Sequence, residues 1–495
     1  MSEESDMTFS EVAAEMDRLI LSKNYTDLKL YLEQLKNGLH LYTQSECFPL
    51  YYYMGTGYGA LADHYRDISE DKDVALEFRK WSFFYLREVI EHYEQEDSNS
   101  ILLMCAYTNY ANGLDSCGRV IEALRIYRKA LTLNPQFGMA LGNYGRALKF
   151  YANMVNDPGH YRDLHSFAYH ALKDAVKIKD PNFHEDAIQN FQKNIGEYEE
   201  LLPKAVLEEA IVYKEYDLGE LDERQYRIWC LKNHLFLNPL NDLLEEESAF
   251  AHDPLTITVL TENVLEKNIE NRSSGAPPKW FAMLNQLKEE YIFSRWMCYE
   301  GITKERQVHY ADREVKLSLA SYDYANYSIR LEQLKAAFKG VFSIFDKTSF
   351  VINLFWNLGF PERKADAAHV FKSSDYPSNN VALTALRWSY FEFEEKYGNA
   401  DRASERALKI LRNALEHKFI KIHEYSYGGK LQIEEDYFYH ISENDLKIQT
   451  IRLLEIAREW LMELVYAIGI EEGKNNRADN AVQLNVADFD DRWKV

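Results

Sequence analysis

The sequence is poor in residues that interrupt helices and in the cysteines that build zinc knuckles or disulfides. Glycine and proline contribute only 21 and 11 of the 495 residues, whereas 46% are hydrophobic and 14% are aromatic. This balance is typical of a largely helical globular protein. The five cysteines are scattered without a C-x-x-C pair, which argues against both a zinc knuckle and a disulfide framework. We therefore expect an all-α fold in a reducing compartment.

Positive charge and long apolar runs are also scarce. Lys and Arg number 57 against 79 Asp and Glu, which gives a formal net charge of -22. Non-specific affinity for nucleic acid comes mainly from clustered Lys and Arg, so any RNA chemistry must rely on a local site, and the acidity itself favours solubility. The start MSEESDMTFSEV lacks the basic and apolar segments of a signal peptide, and no run of about 18 apolar residues occurs. We expect a cytoplasmic protein that does not contact membranes.

A helix-turn-helix repeat stands out near residues 107–135. Its packing positions are Tyr107, Tyr110, Ala111 and Leu114 in a first helix and Ala123, Tyr127 and Ala130 in a second, with Gly118 in the turn and Pro135 after the second helix. Small residues at such positions let two helices approach closely, and the proline prevents the second helix from continuing. The segment resembles a tetratricopeptide repeat (TPR).

More divergent helical units flank this repeat on both sides. Because one helical hairpin cannot bury its apolar face alone, such units stack side by side. We predict a TPR-like solenoid over residues 1–215. Its many tyrosines fit packing between repeats, and the alternative is a groove that binds a regulatory protein partner.

Two further segments complete the predicted organisation. Residues 216–305 are interpreted as a helical connector in which Asn238-Pro239 turns the chain sharply and His234 is a core or interface histidine. Residues 306–495 are predicted to form a C-terminal helical domain with long amphipathic helices over residues 331–354 and 382–396. Asp346-Lys347 interrupts the apolar face of the first of these, either as a solvent-side pair or as a functional one.

The most informative segment is a predicted helix over residues 404–422. At about 100° per residue, one stripe would pack into the bundle: Leu408, Leu411, Leu415, Phe419 and Ile422. The opposite face carries Arg406, Ile410, Asn413, His417 and Ile420. This second face mixes apolar residues with a titratable imidazole, as a surface bordering an active site does.

The run Arg412-Asn-Ala-Leu-Glu-His417 resembles the R-x-x-x-x-H motif of the ribonuclease members of the HEPN superfamily. Two fixed positions in six residues recur by chance in many helices, so the surrounding sequence carries most of the resemblance. It extends through residues 338–347, residues 322–328 and the segments near Trp229 and Asn241. Together these are similar to a bacterial HEPN subfamily that follows TPR-like repeats.

The resemblance implies a metal-independent endoribonuclease without a cofactor, in which a HEPN homodimer presents the motifs of both subunits to one scissile phosphate. It also implies a defence or stress effector, such as a toxin or an antiviral protein. His417 would exchange a proton with the ribose 2′-hydroxyl or the departing 5′-oxygen. Arg412 would hold the phosphate oxygens, and Asn413 would bind the phosphate or orient His417. Arg412 and His417 point about 140° apart on an ideal helix, which favours a site shared by two subunits.

Three alternatives remain open at the level of sequence. Arg412 can instead pair with Glu416 at i,i+4, which would give the motif a structural role. The whole chain can be a non-catalytic adaptor that binds protein partners through its helical repeats. Nucleotidyl transfer onto a tyrosine such as Tyr425 or Tyr427 is a third interpretation. The spacing of His423 and His440 does not distinguish them from other histidines.

Overall fold

The computed structural model describes residues 9–68, 72–97, 99–179, 185–204, 207, 211–244, 246–257, 259–261, 278–303, 308–316, 325–394, 405–425, 432–434, 436–474 and 481–483. The chain divides into two compact units, with the main boundary near residue 211. The segment between residues 216 and 305, interpreted above as a connector, falls within the second unit. The predicted limits of three domains stay predictions.

The first unit is built from helices that follow one another closely along the chain. They are α1 (Phe9–Leu21), α2 (Tyr25–Gly38), α3 (Gln44–Ile68), α4 (Lys72–Glu96), α5 (Ile101–Ser116), α6 (Val120–Leu133), α7 (Gly138–Ala152), α8 (Pro158–Ala175) and α9 (Glu185–Leu201). Each helix from α3 onward packs against the next one in sequence. This sequential packing is typical of helical repeats.

The predicted repeat corresponds to α5 and α6. All seven predicted packing positions are buried. Gly118 lies between the two helices with φ +82°, a left-handed conformation that glycine adopts at little cost. Pro135 follows the end of α6, as predicted. The helix-turn-helix unit is therefore confirmed, while its assignment to the TPR family stays a prediction.

The second unit combines long helices with short strands. Its helices are α10 (Leu221–Lys232), α11 (Lys279–Thr303), α12 (Ile329–Phe355), α13 (Ala367–Lys372), α14 (Val381–Glu394), α15 (Arg406–His417) and α16 (Glu443–Lys474). Its strands are β1 (Val259–Thr261), β2 (Phe419–His423), β3 (Gln432–Glu434), β4 (Phe438–Ser442) and β5 (Ala481–Gln483). Strand β1 pairs with β5, and β2, β4 and β3 form a sheet in that order.

Trp460 of α16 lies at the centre of the bundle. Its side chain is fully buried, and its ring centroid is 4.7 Å from that of Phe345 and 5.4 Å from that of Phe371. The indole N–H donates a hydrogen bond of 2.8 Å to Ser389 on α14. A buried indole needs such a partner because an unsatisfied donor costs free energy. These contacts join α12, α13, α14 and α16 in one core.

Two buried arginines bind the segment of residues 234–253, which precedes the bundle. Arg458 of α16 pairs with Asp242 at 2.7 Å and donates to the Asn238 carbonyl at 2.8 Å. Arg295 of α11 pairs with Asp253 at 2.7 Å and donates to the Leu235 carbonyl at 2.8 Å. His234 is held within the same segment through a contact of 2.6 Å between Nδ1 and the Asn241 carbonyl. This contact agrees with its interpretation as a core or interface histidine.

Helices dominate the described residues, so the predicted all-α fold class is confirmed. The prediction of one helix over residues 404–422 is wrong at its C-terminal end, because α15 stops at His417 and β2 begins at Phe419. Phe419, predicted to lie in the core stripe, is 71% exposed. The run Phe-Ile-Lys-Ile-His is rich in aromatic and β-branched residues, which favour strands, and β4 supplies its backbone partners.

None of the helices in the described part of the chain combines the length and the apolar character that a membrane crossing requires.

The close packing of α7 on α8 depends on a glycine. A Cβ atom at Gly145 would lie 2.9 Å from the Leu172 side chain and 3.1 Å from the Ala168 carbonyl oxygen. We predict that Gly145→Ala lowers the free energy of unfolding by about 1–3 kcal/mol, the usual cost of overpacking. Urea denaturation measures the change.

Gly196 on α9 provides the matched control, because a Cβ atom there has no neighbour within 4 Å. Gly196→Ala should stabilise the protein by about 0.5–1 kcal/mol, since alanine is the better helix former. Equal effects of the two substitutions would contradict the close approach of α7 and α8.

The Arg295–Asp253 ion pair predicts a dependence of stability on pH. Burial raises the pKa of the Asp253 carboxyl, but the Arg295 guanidinium and the Leu237 N–H together outweigh burial and hold this pKa below its usual value. Asp253→Asn should therefore cost about 3–5 kcal/mol at neutral pH. The wild-type advantage is present above the ordinary carboxyl pKa of about 3.9 and is lost as the pH falls through the lowered pKa.

Urea denaturation of wild type and Asp253→Asn across this acidic range tests the sign of the effect. Glu332→Gln is the control, because Glu332 is 69% exposed and pairs with Lys335 on the surface. Its substitution should cost no more than about 1 kcal/mol. A stability difference for Asp253→Asn that grows on acidification would contradict the ion pair.

Candidate active site

Helix α15 forms because one of its faces is apolar and fits against two neighbouring helices. Leu408, Leu411 and Leu415 are buried, as predicted, and α15 packs on α12 and α14. Near its N-terminal end, the Glu405 carboxylate forms an ion pair with Arg452 of α16, with 2.5 Å between Oε1 and Nη2. The helix ends when Lys418 adopts an extended conformation. The motif residues therefore lie in the last two turns of a firmly packed helix.

Arg412 is held from two sides by side chains of α12. Its guanidinium carbon lies 5.4 Å from the centroid of the buried Phe342 ring, within the range of a cation–π interaction. Its Nη2 atom lies 3.9 Å from the Asp346 carboxylate. The arginine side chain is 34% exposed. Arg412 is thus positioned by the helix bundle while part of its guanidinium faces solvent.

The Asp346 carboxylate affects the electrostatic environment of the Arg412 guanidinium. Desolvation by the surrounding helices raises the pKa of its carboxyl above the ordinary value, and the Arg412 guanidinium acts in the opposite direction. The distance of 3.9 Å is longer than a direct hydrogen bond, so the N–H groups of Arg412 are not consumed by this pair. Asp346 and Lys347 both lie on the exposed side of α12, as the solvent-side interpretation expects, and Lys347 pairs with Glu290.

Asn413 and His417 lie on the exposed side of α15. Asn413 accepts a hydrogen bond of 3.1 Å from Nη1 of Arg412, so these two residues are brought together. His417 is the last residue of the helix, and within the described part of the chain its imidazole has no hydrogen-bond partner. The predicted orientation of His417 by Asn413 is not formed in this single chain.

The alternative ion pair between Arg412 and Glu416 is also not formed. Among the described residues, the guanidinium contacts Asp346, Asn413 and Phe342 instead. The main argument for a purely structural role of the motif within its own helix is therefore absent. The two polar groups best suited to phosphate chemistry, Arg412 and His417, both reach the surface at the same end of α15.

Two histidines that sequence spacing did not distinguish meet in the sheet next to the motif. Nε2 of His423 on β2 lies 2.9 Å from Nδ1 of His440 on β4, and both side chains are buried. The rings are parallel, with an interplanar angle of 2°. One ring nitrogen donates and the other accepts. This contact joins the two strands beyond the end of α15.

A signal for this sheet was present in the sequence. Residues 419–423 and 438–442 are two runs of five residues rich in aromatic and β-branched side chains, with polar residues at intervals. Such runs predict short strands. The sequence marks Asp346 as a break in the apolar face of its helix, but it does not show that Asp346 and Phe342 lie near Arg412, because this proximity depends on how α12 and α15 pack.

Tyr437, just before β4, has an unusual backbone. Its φ of +64° lies in the left-handed region, which is rare for a bulky residue. Its carbonyl accepts a hydrogen bond of 2.9 Å from the Phe419 N–H, and its side chain is 77% exposed. The sheet therefore holds a strained residue beside the first residue of β2.

One cleft of the second unit lies near the other end of β2, with a volume of about 850 Å³. It is lined by residues 308–310 and 312, residues 326–331, Gln333, Glu424 and Glu443. The motif residues do not line it. Tyr425, the next residue after Glu424, is 78% exposed, whereas Tyr427 lies outside the described residues.

Comparison with known proteins identifies this part of the chain. Residues 272–471 match the family model described as LA2681-like HEPN. This segment is a HEPN domain. The family model thus confirms the resemblance seen in the sequence, and the match runs from α11 into α16 and includes the whole motif. No curated protein and no solved structure matches the chain.

The HEPN domain indicates a nuclease or another RNA-related activity. Its motif residues have the right types for such chemistry, since arginine binds phosphate through a planar fork and histidine exchanges protons near neutral pH. The residues of the described chain contain no group of three or more His, Cys, Asp or Glu side chains arranged to hold a metal ion.

The strained backbone next to the motif gives a direct prediction. Tyr437→Gly should raise the free energy of unfolding by about 1 kcal/mol, because glycine removes most of the cost of a left-handed conformation. Asn357 is the matched control, since it is exposed and has φ +53°. Asparagine tolerates this region, so Asn357→Gly should change stability less. Chemical denaturation that ranks the two variants in the opposite order would refute the strain at Tyr437.

Proposed function

We propose that this protein is a metal-independent endoribonuclease that cuts RNA at a site formed by two HEPN domains. The observation that carries the proposal is the exposure of Arg412, Asn413 and His417 at one end of α15, with Arg412 already positioned by Phe342 and Asp346. These residues form the proposed catalytic site in each subunit.

The proposed reaction is a transfer of the phosphoryl group within the RNA backbone. The ribose 2′-oxygen attacks the adjacent phosphorus while His417 of one subunit removes the 2′-hydroxyl proton. The bond between phosphorus and the 5′-oxygen breaks, and His417 of the other subunit gives that oxygen a proton. The products are a 2′,3′-cyclic phosphate and a 5′-hydroxyl.

Arg412 and Asn413 bind the scissile phosphate in this scheme. The guanidinium fork binds the non-bridging oxygens and stabilises the charge that builds up on them. Asn413, which already accepts a hydrogen bond from Arg412, keeps its amide N–H groups available for a phosphate oxygen. Among the described residues, no hydrogen bond or ion pair joins His417 to Arg412. In the proposed homodimer, each motif would complete the other.

The helical repeats of the first unit are the proposed regulatory region. Sequentially packed helices give extended surfaces that bind proteins, and this unit would bind a protein partner that controls the HEPN homodimer. A role as a defence or stress effector follows from the family alone. Placement in the cytoplasm belongs to the same proposal.

Cleavage of labelled RNA by the full-length protein, in the presence of a metal chelator, tests the proposal. Arg412→Ala and His417→Ala should each lower the rate by about 10²–10⁴-fold, because each removes a group that acts in the transition state. Asn413→Ala should lower it by about tenfold. The product ends, analysed by mass spectrometry, should carry the cyclic phosphate.

Matched controls come from the same unit. His369→Ala and Arg363→Ala remove an exposed histidine and an exposed arginine far from α15 in sequence, and both variants should cleave like wild type. Excess His417→Ala should also inhibit wild type by forming mixed dimers. Equal cleavage by wild type and both motif variants would refute the site, and a stoichiometric protein complex without any cleavage would favour the adaptor alternative.

A further inference from the structure

The sheet that follows α15 exposes aromatic side chains on one face. Strands β2 and β4 are parallel and in register, with Phe419 beside Phe438. Because successive side chains of a strand point to opposite faces, Phe419 and Lys421 share one face with Phe438. Ile422 and Tyr439 point to the other face, where they are buried. Further along the strands, His423 and His440 share the face of Phe419 but are buried. The outer side of the sheet is therefore the exposed end of this face, at Phe419 and Phe438.

The outer side groups two aromatic rings with an ammonium group. The ring centroids of Phe419 and Phe438 are 5.9 Å apart, and Nζ of Lys421 lies 4.4 Å from the Phe438 centroid. Phe419 is 71% exposed. We name Phe419, Lys421 and Phe438 the aromatic platform.

Exposed aromatic rings beside a lysine match the chemistry of unpaired nucleotides. Every base has a flat π face that stacks on an aromatic side chain, and the neighbouring phosphate attracts an ammonium group. Bases within a duplex are already stacked on each other and do not offer their faces. The platform therefore suits a single strand and excludes an intact duplex.

The platform begins immediately after the proposed catalytic histidine. Phe419 is two residues beyond His417, and an extended chain spans at most about 3.6 Å per residue, so their Cα atoms lie within about 7 Å. Arg412 lies on the last two turns of α15. A phosphate bound at the motif would thus carry its flanking base within reach of Phe419.

We propose that the aromatic platform binds an unpaired base next to the scissile phosphate, which makes Phe419 and Phe438 substrate-binding residues of this HEPN domain. The proposal rests on the proposed function, because it takes the scissile phosphate to lie at Arg412 and His417. It adds a substrate-binding surface outside the motif.

Stacking supplies most of the affinity in this proposal. Lys418 and Lys421 favour the RNA backbone, but Glu416 and Asp436 are exposed at the same end of the sheet. The local charge is therefore close to balanced. Binding should depend only weakly on salt, in contrast to proteins that bind nucleic acid through many phosphate contacts.

Binding measurements in full-length His417→Ala protein, which leaves the RNA uncut, separate the platform from catalysis. The probe is a short fluorescein-labelled single-stranded RNA followed by fluorescence anisotropy, with a duplex of the same length for comparison. Adding Phe419→Ala should weaken single-strand binding by about tenfold or more, since one stacking contact is lost. Phe419→Leu should weaken it similarly, whereas Phe419→Trp should retain it.

Control variants establish that stacking at this position matters. Phe293→Ala removes another exposed phenylalanine of the second unit, 57% exposed on α11, and should bind RNA like its parent. Phe438→Ala should also weaken binding, because it removes the second ring of the platform. In the cleavage-competent protein, Phe419→Ala should raise KM much more than it lowers kcat.

The outcomes distinguish this proposal from the proposed function. Loss of RNA binding in Phe419→Ala, in a protein that never cleaves RNA, would support the platform and refute the nuclease. Unchanged binding, KM and kcat in a protein that does cleave would refute the platform alone. Dissociation of a dimer by Phe419→Ala, with RNA affinity unchanged, would show that this face contacts a second copy and would also refute the platform. Preference for the duplex would refute it as well.

Discussion

A buried guanidinium must find its partners within the protein, and this constraint on Arg458 fixes the path of the chain ahead of the bundle. Its ion pair with Asp242 and its bond to the Asn238 carbonyl fasten the segment before α11 onto α16. Breaking such a buried pair costs about 3–5 kcal/mol. Two residues further along α16, Trp460 organises the aromatic core. The position of α12 depends on this core, and α12 carries the side chains that position Arg412.

Packed side chains of α12 position Arg412 of the exposed motif. Phe342 is buried and offers one ring face to the Arg412 guanidinium, while Asp346 stands at a distance that balances charge without occupying the N–H groups. An arginine on a free helix would lose much more conformational entropy on binding a phosphate. The bundle therefore pre-organises Arg412 and leaves His417, at the helix end, exposed.

The sequence predicted those features that depend on local pattern. The helix-turn-helix unit of α5 and α6 followed from the spacing of small and large residues, and the buried stripe of α15 followed from the 3.6-residue period. The family resemblance followed from a six-residue motif and its surroundings. The end of α15 was missed because Phe419 and Ile422 continue the helical period as well as they fit a strand. Pairing with β4, a contact between distant parts of the chain, decides between the two.

Long-range contacts also explain the other structural features that the sequence did not predict. Asp346 approaches Arg412 only because α12 packs against α15. His423 and His440 meet only because β2 and β4 pair. Tyr437 has no sequence feature that predicts its left-handed backbone. Each of these properties arises from packing between elements, which a local pattern does not contain.

The direct passage from helix to strand at His417 limits how this protein can change during evolution. Side chains of a strand alternate in direction, so an insertion or deletion of one residue between His417 and Phe419 would exchange the core and solvent faces of β2. Such a change would expose Ile422 and bury Lys421. We therefore expect relatives with the same sheet to conserve the length of this junction more strictly than the identity of its residues, and to confine length variation to the segment between β2 and β3.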